Sequence, residues 1–406
     1  MEPPPRPAPD AGGVATPALT ASPVGVSIIA REWTRIGCIG FGGPATQITL
    51  LRQLCVTRRA WLSANEFEDG IAATNLLPGP AATQLAIFCA WRLRGRLGAL
   101  VGGVCLIVPG LVLILGLSAL FLTSHPPRAV EGAAAGAGAA VAAVALSAAL
   151  GLLPASWRRI GSRRRARARW LAYALAGAAA AATIGPYLVL ILLAGGLVEM
   201  AVQRCWPRPP TALPSIALVP MLVAVATAGT VGALVWEAFK VGALSYGGGF
   251  VIVPLMQADV VHVDHWMTNA QFLNAVALGQ VTPGPVVQTV AVVGYAAAGL
   301  AGGLLAALVA FAPSFAFVIL GGPHFDRIRA NAAVQAFLTG AGPAAIGAIA
   351  GSAIPLGLAL THLWQLGVLA AAFVWLVVLR RNVVVGLIGA AMVGVVLSLV
   401  GLSVSS

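Results

Sequence analysis

Two ten-residue stretches decide how this chain is read: Asn75-Leu76-Leu77-Pro78-Gly79-Pro80-Ala81-Ala82-Thr83-Gln84 and Gln280-Val281-Thr282-Pro283-Gly284-Pro285-Val286-Val287-Gln288-Thr289. Each sets Pro-Gly-Pro inside an apolar run. Proline removes an amide donor and its ring clashes with the preceding turn, so neither run continues as one regular helix. The same shift of 205 residues aligns the chain on either side of them: Glu32 meets Glu237, Arg35 meets Lys240 and Gly37 meets Gly242. Trp61 then meets Trp266, Phe67 meets Phe272 and Gly98 meets Gly303. A second pair of breaks falls on the same shift: Gly40-Phe41-Gly42-Gly43-Pro44 and Tyr246-Gly247-Gly248-Gly249. Matches in Trp, Pro and charged residues at one offset mark an internal duplication.

The surrounding composition says what solvent the duplicated chain lives in. Of 406 residues, 59% are hydrophobic and only 9% charged, and the mean hydropathy is +0.93. That is too little charge to cover a water-facing surface, which excludes a soluble enzyme, a nucleic-acid binder and a secreted disulfide scaffold. The expected fold is an all-α polytopic membrane protein built from two homologous inverted-topology repeats with Pro/Gly-broken helices. Runs of spanning length, each needing about 20 residues, lie near 27–51, 68–91, 97–122, 129–153, 170–184, 186–203, 214–231, 233–257, 272–297, 300–321, 332–358, 364–380 and 382–402. These make about thirteen transmembrane segments. The expected division is a disordered tail over 1–26, a first repeat over 27–205, a linker with an extra span over 206–231, and a second repeat over 232–406.

The net charge of +12 reads as topology, because Lys and Arg collect in cytoplasmic loops. The densest basic run, from Arg158 to Arg169, is placed inside, which puts the N-terminus in the cytoplasm and the C-terminus outside. The extra span near 214–231 then gives the halves opposite orientations. Arg52, Arg58 and Arg59 fit this scheme only if the first glycine-rich segment is re-entrant.

Unwound backbone at membrane depth survives where protein or a water-filled cavity satisfies it, and matching breaks in inverted halves point to a transport site. A helix restarting after a break offers free N–H groups and the positive end of its dipole to an anion. The candidate binding residues are therefore Gly42, Gly43, Pro44, Asn75, Pro78, Gly79, Pro80, Thr83 and Gln84. In the second half they are Gly247, Gly248, Gly249, Gln280, Pro283, Gly284, Pro285, Gln288 and Thr289. Thr46, Gln47, Ser245 and Thr282 also flank the breaks. Neutral donors there suit a tetrahedral oxyanion, but the same side chains could simply satisfy kinked backbone or hold helices together. Glu32 with Arg35, and Glu237 with Lys240, are spaced to pair on one helix face. They supply positive potential and candidate proton-coupling carboxylates, or snorkel at span ends. His262 and His265 lie with Asp259 and Asp264 in a segment read as a surface loop, the five cysteines form no CxxC pair, and no metal or cofactor motif is present.

With these residues in view, the chain resembles the chromate ion transporter family in its long two-domain form. Phe41-Gly42-Gly43-Pro44 with Asn75–Gln84 is similar to the first-half signature. Ser245-Tyr246-Gly247-Gly248-Gly249 with Gln280–Pro285 is similar to the second. The resemblance covers residues 27–402. It implies a bacterial inner-membrane carrier, not an enzyme, that exports chromate from the cytoplasm with protons as the coupling ion. Sulfate or another tetrahedral oxyanion is the alternative substrate, and a non-transporting structural subunit is the alternative of another class.

Overall fold

The computed structural model describes residues 24–75, 77, 79–123, 126–161, 163–183, 188–204, 229–245, 252–321 and 331–401. The expected N-terminal tail and nearly all of the 206–231 linker lie outside the described residues. So do Pro78 and the second glycine-rich break at Gly247–Gly249. Among the described residues every regular element is a helix.

In the first half these are α1 (Val26–Ile39), α2 (Pro44–Arg52, prolonged by a π-helical turn over Gln53–Arg58), α3 (Ala64–Thr74) and α4 (Ala81–Phe121). Next come α5 (Arg128–Ala139), α6 (Val141–Arg159), α7 (Arg164–Thr183) and α8 (Leu188–Val202). The second half has α9 (Gly229–Leu244), α10 (Ile252–Gln257, prolonged by a π-helical turn over Ala258–Val263), α11 (Asn269–Val281) and α12 (Thr289–Gly321, led by a 3₁₀ turn over Val286–Gln288). It closes with α13 (Ala332–Leu358), α14 (Leu363–Phe373, prolonged by a π turn over Val374–Val378) and α15 (Val383–Leu399). Four stretches are long and apolar enough to cross a membrane: Ala81–Phe121, Arg128–Arg158, Val286–Gly321 and Ala332–Leu358. Leu188–Val202, Leu363–Val378 and Val383–Leu399 are shorter apolar helices. Exposed leucines such as Leu308 and Leu358 suit a surface solvated by lipid rather than water. This is a multi-pass membrane protein.

Four of the expected spans are helical hairpins instead. The run 27–51 divides at Gly40–Gly43, and α2 doubles back along α1. Arg59 at its far end donates to Glu32 near the start of α1 at 2.8 Å, and Trp61 stacks on Trp33 at 6.5 Å between ring centroids. The run 68–91 divides at Pro-Gly-Pro. There Glu66 at the start of α3 pairs with Arg92, and Gly70 faces the ring of Phe88. The chain turns again at Arg94 and Gly95, whose backbone is non-helical. Gly98 lies against the Ala90 carbonyl and Gly103 against Ile87. In a straight helix rising 1.5 Å per residue, positions 87 and 103 would stand about 24 Å apart. The run 233–257 folds back so that Lys240 pairs with Asp259. The run 272–297 is broken at Thr282–Pro285, and Ala298–Gly299 repeats the later turn.

These reversals bring Arg59, Arg92 and Arg94 to the end at which α1 begins: Arg59 binds Glu32 near the start of α1 and Arg94 donates to the Val24 carbonyl. From there α4 runs to Phe121, which lines a cavity at the opposite end with Glu131 of α5, and the span Arg128–Arg158 returns to set the α7 arginines at the first end. The conflict over Arg58 and Arg59 disappears, because the glycine-rich segment is a turning point rather than part of a span.

The elements also correct the ungapped pairing. Both π turns and both Pro-Gly-Pro breaks keep the shift of 205, but Gly95 corresponds to Gly299 and Pro109 to Pro313, a shift of 204. The tighter 3₁₀ turn at Val286–Gln288 takes up the missing residue. It sets Gln84 opposite Gln288, and Gly98 opposite Gly302 rather than Gly303.

The halves are entwined. α13 packs along α7 and α8 of the first half, while α5 packs along α15. Small residues allow the close approach: Gly177 meets Ala344, Gly340 meets Gly195 and Gly136 meets Ala390. Backbone-to-backbone contact of this kind is how apolar helices associate where lipid offers no hydrophobic drive.

Candidate functional site

Several helix starts carry side-chain caps, while α1 and α5, preceded by Gly25 and Pro127, carry none. At α3, Ser63 forms a capping box with Glu66, and at α11 Thr268 does the same with Gln271. Asn331 and Asn382 cap α13 and α15. At the breaks the preceding residues are Gly43, Pro80 and Pro285, and no side chain caps α2, α4 or the 3₁₀ turn that leads α12. Their first N–H groups have no intrahelical acceptor and carry the positive end of the dipole.

These uncapped starts converge. The Gly284 N–H donates to the Gly40 carbonyl at 3.3 Å, joining the first glycine-rich turn to the second Pro-Gly-Pro. Gln288 Nε2 donates to the Ile107 carbonyl at 2.8 Å, and Pro283 lies against Gly110, where the long second arm of α4 carries Pro109. Reciprocally, Gly79 lies beside Ser314, next to Pro313 in α12, and under the amide of Gln84. Each Pro-Gly-Pro therefore rests on the proline-bearing stretch of the other half's long helix. Gly79 and Gly284 have φ of 119° and 114°, a backbone that L side chains rarely adopt.

Around this crossing sit buried neutral polar groups. Gln47, Thr83, Ser245, Gln288 and Ser314 are almost wholly buried and Gln280 is 6% exposed. The atoms Gln47 Nε2, Thr83 Oγ1, Ser245 Oγ, Gln280 Nε2, Gln288 Oε1 and Ser314 Oγ have no hydrogen-bond partner. Buried polar atoms are ordinarily paired, which sets these six apart; five are donors or hydroxyls, while Gln288 leaves its carbonyl oxygen free because its amide donates to Ile107. Gln84 is fully buried in the same cluster. Thr289 is less free, because its hydroxyl donates to the Val286 carbonyl. Thr282 likewise donates to Leu278.

A cavity of 270 Å³ runs between Ile160, at the end of α6, and Gly79. Its walls include Thr74, Asn75 and Gly79, Ser156 on α6, and Gln335 and Thr339 on α13. A second cavity, of 340 Å³, opens from the opposite end between Glu131 on α5, Asn274 on α11 and Gln365 on α14. It ends at Asn274, whose side chain lies against Gly138, without reaching Gly284.

The ionisable candidates do not join the cluster as a set. Glu32 pairs with Arg59 and not with Arg35, which is exposed. The i,i+3 spacing was right for the other pair: Lys240 Nζ lies 2.6 Å from Glu237 Oε2. It also binds Asp259, so that residue belongs to a buried ion group rather than to a surface loop. Asp264, beyond the spanning segments, has its carboxyl pushed up by burial and by the neighbouring charge of Asp259. Sequence reasoning missed Ser314, Ser156, Gln335 and Thr339. Ser314 had one visible signal, its place directly after Pro313 in an otherwise apolar helix.

Helix breaks, uncapped helix starts and unpaired neutral donors meeting at the centre of a multi-pass bundle define the class: a membrane transport protein with a buried polar centre. The chain belongs to the chromate transporter family, whose sequence profile matches residues 28–200 and 232–395. It is 31% identical over 337 residues to the chromate transport protein of Cupriavidus metallidurans, covering 79% of this chain and 80% of that one. To the chromate transport protein of Pseudomonas aeruginosa it is 30% identical, covering 84% and 83% of the two chains. To the probable chromate transport protein of Synechococcus elongatus it is 28% identical, covering 81% and 84%. No solved structure matches.

Proposed function

We propose that this protein exports chromate from the cytoplasm across the inner membrane, driven by the proton-motive force. The observation that carries the reading is the seating of each Pro-Gly-Pro break on the proline-bearing stretch of the other half's long helix, with uncapped helix starts and unpaired neutral polar groups beside them, in a chain whose relatives are named for chromate transport. A tetrahedral dianion accepts hydrogen bonds from several directions, so amides and hydroxyls from both halves can hold it. Neutral donors also spare the anion the tight hold of a buried cation.

The reading takes 27–205 and 232–406 as two inverted repeats that alternate access around that centre. The arginine-rich end is cytoplasmic by the positive-inside rule, with the N-terminus on that side and the C-terminus opposite. The cavity that reaches Gly79 then opens inward and the shallower one outward, as an exporter awaiting cytoplasmic substrate requires.

The test is chromate movement into everted membrane vesicles, with and without a proton gradient and with sulfate as competitor. Gradient-dependent accumulation is the expected result. Sulfate movement without chromate movement would keep the site and change the substrate, and no movement of either would end the transport reading.

A further inference from the structure

Where the two halves carry corresponding ion groups, their charges do not match. In the first half one carboxylate, Glu32, faces one guanidinium, Arg59. In the second half two carboxylates, Glu237 and Asp259, share one ammonium, Lys240. At the 205-residue shift Leu54 stands where Asp259 stands, and Arg59 where Asp264 stands. The second group is also the deeper one. The side chains of Glu237, Lys240 and Asp259 are 2%, 12% and 14% exposed, against 48% for Arg59.

Two buried carboxylates with one cation leave a net negative charge, and a buried unbalanced charge is costly. The surroundings offer little to offset it. Lys240 stands over the Trp236 ring, while Asp264 adds further negative charge at the mouth of the group and His262 and His265 lie on its exposed side. α12 and α13 bring no charged side chain among their described residues. On neighbouring α8, Glu199 is already bound to Arg169. Glu237 Oε1 is buried with no hydrogen-bond partner, and Glu237 and Asp259 are joined through the Lys240 ammonium, which binds both carboxylates. One proton held by the pair, carried on Glu237 Oε1, would balance the charge without displacing the ammonium. A metal cation is the weaker fit, because the Lys240 ammonium already occupies the space between the carboxylates.

We propose that Glu237 and Asp259 hold one exchangeable proton between them, with Lys240 as fixed counter-ion, and that this pair is the proton-coupling site among the described residues. Glu32, neutralised by Arg59, takes no part. Asp259 lies in the π-helical turn Ala258–Val263, a distortion often found at functional positions, and that turn leads to the end opposite the arginines. The coupling role rests on the export reading, in which that end is periplasmic: a proton enters from outside, binds the carboxyl pair, and leaves inward as the anion moves out.

The test uses the full chain in proteoliposomes. Infrared difference spectra should show a protonated carboxyl band that disappears on alkaline titration and is absent in Glu237→Gln and in Asp259→Asn. With one proton moved per anion, each unit of pH gradient gives the wild type about tenfold further chromate accumulation. Both variants should lose that response while still exchanging chromate for chromate at equal pH. A wild type without the band, a band that persists in both variants, or variants that keep the tenfold response would overturn the proposal. The infrared arm needs no chromate movement. A wild type that shows the band but moves no chromate would therefore refute the transport reading and the coupling role while leaving the proton site standing.

Discussion

At the scale of single residues, Ser314 separates stability from function. Its hydroxyl is buried without a partner, so Ser314→Ala removes a group that costs the resting protein desolvation. One neutral hydrogen bond is worth about 1 kcal/mol. The variant should melt no lower than wild type in the absence of chromate and bind chromate about fivefold more weakly, measured by thermal shift with and without the anion. Unchanged affinity would remove Ser314 from the site. The arginines give a second contrast. Arg59→Ala strands the buried Glu32 carboxylate and should destabilise by about 1–3 kcal/mol. Arg35→Ala, on an exposed residue, should stay within about 0.5 kcal/mol. Equal losses on denaturant unfolding in detergent would contradict the assigned pairing.

At the scale of elements, the capped and uncapped helix starts make opposite predictions. Ser63→Ala dismantles the capping box of α3 and should cost about 1 kcal/mol with chromate affinity unchanged. Pro80→Ser puts a side-chain acceptor beside the N–H groups at the start of α4, where it competes with the anion. Chromate binding should weaken about tenfold while stability holds, since a cap contributes up to about 2 kcal/mol. A Pro80→Ser protein that binds normally would show that the α4 start does not touch the substrate.

The breaks themselves were readable, because Pro-Gly-Pro and its glycine-rich companion forbid a continuous helix by their covalent structure. The direction the chain takes after each break was not. Hydrophobic runs carry no sign of direction, so α2 returning along α1 and the reversal at Arg94-Gly95 look in sequence like uninterrupted spans. The Arg58 and Arg59 misfit was the trace of the first reversal. Glu32 found its partner 27 residues away, since the helix fold-back outweighs i,i+3 proximity, whereas Glu237 and Lys240 kept theirs. Ser156, Gln335 and Thr339 were illegible because each is a lone polar residue in a separate stretch of helix until packing gathers them around one cavity.

At the scale of the whole molecule, the two cavities define two faces. In a background with the native cysteines replaced, Thr339→Cys lines the deep cavity and Gln365→Cys the shallow one. A membrane-impermeant thiol reagent should modify the first from the cytoplasmic side, with chromate protecting it, and the second from the opposite side. Modification of both from one side would contradict the inverted arrangement.

The entwining of the halves also governs how the chain is made. When α7 and α8 leave the ribosome, the helix that packs along both of them, α13, has not yet been synthesised. Their glycine and alanine faces at Gly177 and Gly195 must wait in lipid while more than a hundred further residues are inserted. α5 waits longer still for α15, which begins more than two hundred residues after it. The first half is thus inserted before it can be finished. Its maturation is a late event, set by translation of the C-terminal helices, and a chain truncated after α12 should be cleared by membrane proteases even though both Pro-Gly-Pro segments are present.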